Sequence, residues 1–292
     1  MKGYLFPGQG SQFLGMGKDL YENHDHIAQL YEEANQILGF SITDIIFGDD
    51  EDALKRTDVT QPAIYIHSMV KAQIMGSDFK PDMAAGHSLG EFSALAACGA
   101  MSFKDGLKLV SMRANAMQLA CEANPGTMAA VLGLEDHIVE EVCASIDDIV
   151  VPANYNCPGQ LVISGTLTGI EKASAELSAR GALKVVTLQV GGAFHSPLME
   201  QARIELEKAI LDTDMKMPLC PVYQNVNGYP GKNIEEIRKN LIDQLTAPVR
   251  WTQSMQHMIA DGMTSALEIG GTGSVLRGLL RKVDRTIPSE TA

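Results

Sequence analysis

The sequence predicts an α/β protein: a large domain built on a parallel sheet, with a small βαββαβ subdomain inserted into it. Three observations carry this. The stretch Met83-Ala84-Ala85-Gly86-His87-Ser88-Leu89-Gly90-Glu91 ends an apolar run in the pattern G-x-S-x-G, and a helix of small residues follows it. Residues 126–190 alternate short strand and helix patterns in the order β-α-β-β-α-β. On either side of that insert, short strand patterns are joined by helical ones, the arrangement that parallel strands require.

The 292 residues suffice for one large α/β domain with a smaller insert. The division expected is 1–125 with 191–292 for the large domain and 126–190 for the small one. A formal net charge of −13 argues against nucleic acid as a partner. No run approaches the ~18 apolar residues of a membrane span. The opening Met1-Lys2-Gly3-Tyr4-Leu5-Phe6-Pro7 meets proline too early for a signal peptide. The five cysteines are scattered and never spaced C-x-x-C, which argues against a zinc site or a disulfide framework and for a reducing cytoplasm.

Along the chain, Lys2 to Phe6 reads as the first strand and runs into the loop Pro7-Gly8-Gln9-Gly10-Ser11-Gln12. A dinucleotide fingerprint would need glycine where Phe13 stands, and no G-x-x-x-x-G-K-[ST] occurs, so neither nucleotide reading holds. The loop is either a plain strand-to-helix turn or the source of a backbone donor, the N–H of Gln9, for an oxyanion. Helical patterns follow at Ile27–Leu38 and Ala63–Met75, with Gln61-Pro62 as the expected start of the second. His24 and His26 read as solvated surface and His67 as a packed helix residue. No histidine shows metal-ligand spacing, so no metal is expected.

Ser88 is the candidate nucleophile. A serine in a strand-turn-helix bend is held in a strained conformation with its hydroxyl exposed above the sheet edge, and the helix N-terminus puts free N–H groups beside it. A Cβ at Gly86 or Gly90 would collide with the neighbouring strand or helix. The alternative is a serine that merely caps a helix.

Ser102 to Leu119 is a further helix, capped by Ser102 with Asp105 at its third position. Arg113 lies within it. Read alone, an arginine there holds a surface ion pair; the alternative is bidentate binding of a carboxylate. The insert follows as strand Thr127–Gly133, helix Glu135–Ile146, strands Ile149–Tyr155 and Gln160–Gly165, helix Thr168–Arg180 and strand Leu183–Val190. Its order is that of the split unit of ferredoxin-like folds, which places an active site in the cleft beside it.

The chain leaves the insert through Gly191-Gly192-Ala193-Phe194-His195-Ser196-Pro197. A histidine on a glycine hinge at a domain junction is the best partner for Ser88. A hydrolase-like triad also calls for a carboxylate between the two, and none stands in a convincing turn. The remainder rebuilds the large domain with strand Pro221–Val226, helix Ile234–Leu245, linker Thr246–Trp251, helix Thr252–Ala260, strand Ser265–Ile269 and helix Val275–Lys282. Arg277, Arg281, Lys282 and Arg285 form the densest basic cluster of an acidic chain, a candidate docking face for an acidic partner.

Four stretches now stand in order: Pro7-Gly8-Gln9-Gly10-Ser11-Gln12, Gly86-His87-Ser88-Leu89-Gly90-Glu91, Ala193-Phe194-His195-Ser196, and Gln244 followed by Pro248-Val249-Arg250-Trp251. With them the chain resembles the malonyl-CoA:acyl carrier protein transacylases of type II fatty acid synthesis, from residue 3 to about residue 282. It is also similar to the acyltransferase domains of polyketide synthases. The resemblance implies that Ser88 carries the acyl group as an ester with His195 as its base. It implies that the main-chain carbonyl of Gln244 orients the histidine in place of a carboxylate, and that the N–H groups of Gln9 and Leu89 form the oxyanion hole. It makes Arg113 the partner of the free malonyl carboxylate, against the reading of that residue alone. Phe194 is like the malonyl-selective forms. Gly271 departs from the pattern, since many members have proline in that loop.

The expected reaction is ping-pong transfer of malonyl from malonyl-CoA to the phosphopantetheine thiol of acyl carrier protein, with no bound cofactor. Competing readings are a polyketide-type acyltransferase acting in trans, an acyl-thioester hydrolase using the same Ser-His pair, and a non-catalytic scaffold.

Overall fold

A computed structural model describes residues 1–292. Strand β1 (Lys2–Phe6) leads into a helical arm of α1 (Lys18–Asn23), α2 (Asp25–Leu38), α3 (Ile42–Ile46) and α4 (Glu51–Lys55), then α5 (Thr57–Ile74). Strand β2 (Met83–Gly86) is followed by α6 (Leu89–Ala97) and α7 (Phe103–Ala123). The second half of the large sheet comes after residue 190: α10 (Glu200–Asp212), β7 (Val222–Tyr223), α11 (Ile234–Asp243), α12 (Trp251–Ala260), β8 (Ser265–Glu268), α13 (Val275–Val283) and β9 (Ser289–Thr291). Between the halves lie β3 (Gly126–Leu132), α8 (Asp136–Ser145), β4 (Val150–Cys157), β5 (Gln160–Thr166), α9 (Leu167–Ala179) and β6 (Lys184–Thr187).

The large sheet is parallel throughout, in the order β7-β2-β1-β8-β9. Apart from the exposed edge strand β9, its strands are buried on both faces, as parallel strands covered by crossover helices must be. In β1 the alternation is explicit: Tyr4 and Phe6 pack with α5, α6 and α7, while Leu5 faces α12 and α13 through Met255, Met258 and Leu280.

The second sheet is antiparallel, in the order β4-β5-β3-β6. Its period-two pattern divides its side chains between two cores. Ala129, Val131, Leu161 and Ile163 lie under α8 and α9, whereas Met128 and Val162 join the core of the large body. The segment Val249–Trp251 stitches the two sheets together. Val249 donates to the Ala153 carbonyl at 2.8 Å and accepts from the Tyr155 N–H at 2.9 Å, Arg250 donates to the Asn225 carbonyl at 2.9 Å, and Trp251 is fully buried.

Several elements differ from the sequence expectation, which assigned nothing at α1, α3, α4 or β9. Helix α5 begins at Thr57 rather than at Gln61-Pro62, so Pro62 lies inside it. Proline there removes one intrahelical donor, which a helix buried along almost its whole length tolerates. Helix α10, whose polar run Glu200–Asp212 buries only Ala202, Leu206 and Ile210, had no sequence assignment. The Ser102 cap of α7 is present: its Oγ accepts from the Asp105 N–H at 3.0 Å and donates to Asp105 Oδ2 at 2.6 Å.

Candidate active site

The bend after β2 is made by what glycine lacks. A Cβ on Gly86 would overlap the backbone of Gly90 and Glu91, and a Cβ on Gly90 would overlap the carbonyl of Phe6 in β1. With both absent, α6 sits against the strand ends and Ser88 takes φ 53° and ψ −111° at the helix N-cap. Among non-glycine residues of the chain, only Ser88 and His195 have positive φ, the latter at 56°. Such conformations cost on the order of 1–3 kcal/mol each and persist only where the surroundings over-determine them.

Those two residues meet. Ser88 Oγ lies 2.8 Å from His195 Nε2, and His195 Nδ1 lies 2.8 Å from the main-chain carbonyl oxygen of Gln244. A carbonyl only accepts, so the proton sits on Nδ1 and the Ser88 hydroxyl donates to Nε2. Burial pushes the His195 pKa down to about 3, the Arg113 charge adds to this, and the Gln244 carbonyl opposes it. The imidazole is therefore neutral and able to accept a proton near neutral pH.

Arg113 is 1% exposed and no carboxylate of the chain lies within 4.0 Å of its guanidinium, so it is no surface ion pair. Nη1 donates to Gln61 Oε1 at 2.7 Å, and Nη2 donates to Ser88 Oγ at 3.0 Å and Gln244 Oε1 at 3.1 Å. Its Nε has no partner, and burial lowers its pKa to about 10. The Phe92 ring lies 5.6 Å from it.

A cavity of about 310 Å³ opens over these groups. Ser88, His195, Arg113, Gln9, Leu89 and Phe194 all line it. Met128, Asn154 and Leu188 reach it from the antiparallel sheet and the strand exit, so both lobes contribute to its wall. The Gln9 N–H makes no hydrogen bond within the protein, and the Leu89 N–H is a first-turn amide of the kind a helix cannot satisfy internally.

Four residues that sequence reasoning passed over complete the polar cluster: Gln61, Glu91, Gln224 and Asn225. Glu91 stood in the G-x-S-x-G stretch, where an acid in a first helical turn reads as a dipole partner. The other three are neutral amides without a sequence signal. The basic cluster lies apart from the cavity and is partly engaged. Arg277 Nη1 donates to Thr291 Oγ1 at 2.9 Å and Lys282 Nζ donates to Gln160 Oε1 at 3.0 Å, while Arg281 and Arg285 are exposed. His67 is packed in α5, accepting from the Gly271 N–H at 3.1 Å. That bond, with φ 56° at Gly271, leaves no room for proline there.

The sequence matches the acyl transferase domain family over residues 3–291. The chain belongs to that family. A malonyl CoA-acyl carrier protein transacylase of Bacillus subtilis is 42% identical over 97% of this chain and 90% of its own length. The crystal structure of the corresponding transacylase of Xanthomonas oryzae superposes with a TM-score of 0.94 at 39% identity, covering 99% of this chain and 93% of the other. A malonyl-transacylase solved in complex with a type II polyketide acyl carrier protein gives 0.95 at 34% identity, over 100% and 95% of the two chains. No helix of this acyl transferase is long and apolar enough to cross a membrane.

Proposed function

We propose that this acyl transferase moves the malonyl group from malonyl-CoA to the phosphopantetheine thiol of an acyl carrier protein through an ester on Ser88. One observation carries the reading: a buried guanidinium without a carboxylate partner stands 3.0 Å from the candidate nucleophile. A charged acyl group supplies the missing anion, and a neutral one does not.

In the first half-reaction His195 Nε2 takes the Ser88 proton as Oγ attacks the thioester carbonyl. The oxyanion is held by the N–H groups of Gln9 and Leu89, the second aided by the α6 dipole. His195 returns the proton to the departing CoA thiol. In the second, the carrier's thiol gives its proton to His195 and attacks the ester, and Ser88 is restored. Gln244 holds the imidazole through its main chain, and Phe194 borders the acyl site as the selectivity residue.

The strand-Ser88-helix bend acts as a nucleophile elbow in a hydrolase-like large domain, residues 1–125 and 191–292. The insert of residues 126–190 acts as a ferredoxin-like lobe that closes the cleft. The complex of the related malonyl-transacylase with its carrier protein supports an acyl carrier protein as acceptor. For its docking, Arg281 and Arg285 are the free cations of the α13 cluster.

Incubation with equimolar malonyl-, methylmalonyl- and acetyl-CoA, read by intact mass, tests the reading. Malonyl alone should accumulate on the protein and pass to holo-carrier; preferential acetylation, or release to water unaffected by carrier, overturns it.

A further inference from the structure

Glu91 is fully buried one turn after the nucleophile, with no cation within 4.0 Å. Three N–H donors converge on it. Oε1 accepts from Gln224 Nε2 at 3.0 Å, and Oε2 accepts from the Asn225 backbone N–H at 2.7 Å and Gln244 Nε2 at 3.1 Å. Only an acceptor-only group meets all three without a donor-donor clash, which is what an ionised carboxylate offers and an amide does not.

Two of those donors belong to residues that hold the reacting pair. The Asn225 side chain bridges the backbone on both sides of the bend: Oδ1 accepts from the Ser88 N–H at 2.7 Å and Nδ2 donates to the Gly86 carbonyl at 2.7 Å. Strand β7 pairs with β2 only through Ala84↔Val222 and Ala85↔Tyr223, so Asn225 continues that ladder, as a side chain, past the point where the main chain turns away. Gln244 holds His195 with its carbonyl, while its side chain donates to the Ser88 carbonyl at 3.0 Å and accepts from Arg113. Gln224 ties the same carboxylate to α11, just before Gln244, by donating to the Ile237 carbonyl at 3.1 Å and accepting from Asn240 at 2.8 Å.

We infer that Glu91 and Asn225 are positioning residues for acyl transfer, a single buried anchor that fixes the strained backbone of Ser88 and, through Gln244, the imidazole of His195. Neither touches the substrate. The carboxylate sets the direction of two amides, and those amides set the distance between nucleophile and base. This explains why an unpaired carboxylate is kept in a fully buried site, where an apolar side chain would be easier to bury. The inference rests on the Ser88–His195 acyl-transfer reading.

The test compares Glu91→Gln, Glu91→Asp and Asn225→Ala with the parent. Single-turnover acylation by malonyl-CoA is followed by intact mass, with rates normalised to the fraction of protein that finally acylates. A second reagent, a fluorophosphonate, reports Ser88 reactivity without any acyl-CoA. Glu91→Gln and Asn225→Ala should slow both reactions per reactive site by about 10²-fold, the scale of a small misplacement of reacting groups. KM for malonyl-CoA should stay near the parent's, and Glu91→Asp, which keeps the acceptor, should recover part of the rate.

Reactive sites that acylate at the parent's rate, with only their number reduced, would show a merely structural role and overturn the inference. So would equal losses in the Gln and Asp variants, or a loss confined to KM. If Glu91→Gln fails to fold, Asn225→Ala and Glu91→Asp decide by the same criteria. A parent that reacts with the fluorophosphonate but not with malonyl-CoA refutes the donor assignment and leaves this comparison in force; one that reacts with neither refutes both.

Discussion

Ser88 and His195 lie 107 positions apart, share a 2.8 Å hydrogen bond, and are the two non-glycine residues held at positive φ. Strain at both ends of one hydrogen bond means that neither backbone relaxes without breaking the contact. The expected outcome of Ser88→Ala is complete loss of covalent malonylation by intact mass, with the fold unchanged by circular dichroism. His195→Ala should leave Ser88 able to acylate but slower by about 10²–10⁴-fold, the range of general-base assistance. Normal labelling of the serine variant would dismiss Ser88 as nucleophile.

Arg113 makes a prediction of selectivity rather than of rate. Its Nη2 contacts Ser88 Oγ and its Nη1 is anchored by Gln61, so the fork faces the place where an acyl chain on Ser88 would extend. Arg113→Ala should cut kcat/KM for malonyl-CoA by far more than for acetyl-CoA, narrowing or inverting the preference between them. Gln61→Ala should shift the preference in the same direction by less, since it frees the guanidinium without removing it. Parallel losses for both thioesters would mean that Arg113 only supports the fold.

Why some of this was legible and some was not follows from the range of the contacts. The bend at Ser88 is local: Gly86, Ser88 and Gly90 lie within five positions, and the collisions that require glycine involve adjacent elements. The order of the insert was legible for the same reason, because each strand and helix announces itself by its own period. Arg113 was misread without the resemblance, since α7 mixes charged and apolar residues and only the packing shows which face is buried. The orienter of His195 is a main-chain carbonyl, which every residue has and no pattern marks. Glu91, Asn225 and Gln244 are joined by bonds spanning 134 and 153 positions. Pro62 misled in the opposite sense: a residue favoured at helix starts stands inside a longer helix whose first turn is Thr57–Thr60.

The acid limb of the reaction should belong to Glu91 and not to the base. With its pKa near 3, His195 stays neutral and competent well below neutrality. Burial raises Glu91 to about 7, against the pull of its three N–H donors and of Arg113, the charged group that acts on it. As pH falls through that value the carboxylate gains a proton and offers a donor where three donors already point. Acylation kcat/KM should therefore fall with falling pH around pH 7 in the parent, whereas Glu91→Gln should be slow and flat over the same range. Measuring both profiles on the free enzyme decides it, because kcat/KM reports groups of the uncomplexed protein. An unchanged midpoint in the Gln variant would return the limb to another group.

Gly90 tests whether the bend itself, rather than the serine in it, makes the site. A methyl at this position points at the Phe6 carbonyl of β1, a backbone atom fixed by its place in the sheet, so it has no flexible side chain to displace. Relief requires α6 to move off β1, and that movement carries the Leu89 N–H and Ser88 away from Gln9 on the neighbouring loop. Gly90→Ala should destabilise the fold by at least the ~1–3 kcal/mol typical of overpacking. It should also lower acylation per folded molecule, because the two oxyanion donors separate. Gly278→Ala is the control: it too is a helical glycine without a positive φ, in α13, but its Cβ would meet nothing within 4 Å, so it shares the helical setting without the collision. Thermal melting and single-turnover acylation of both variants separate the two effects, and an active, stable Gly90→Ala protein would mean that α6 has slack the packing does not reveal.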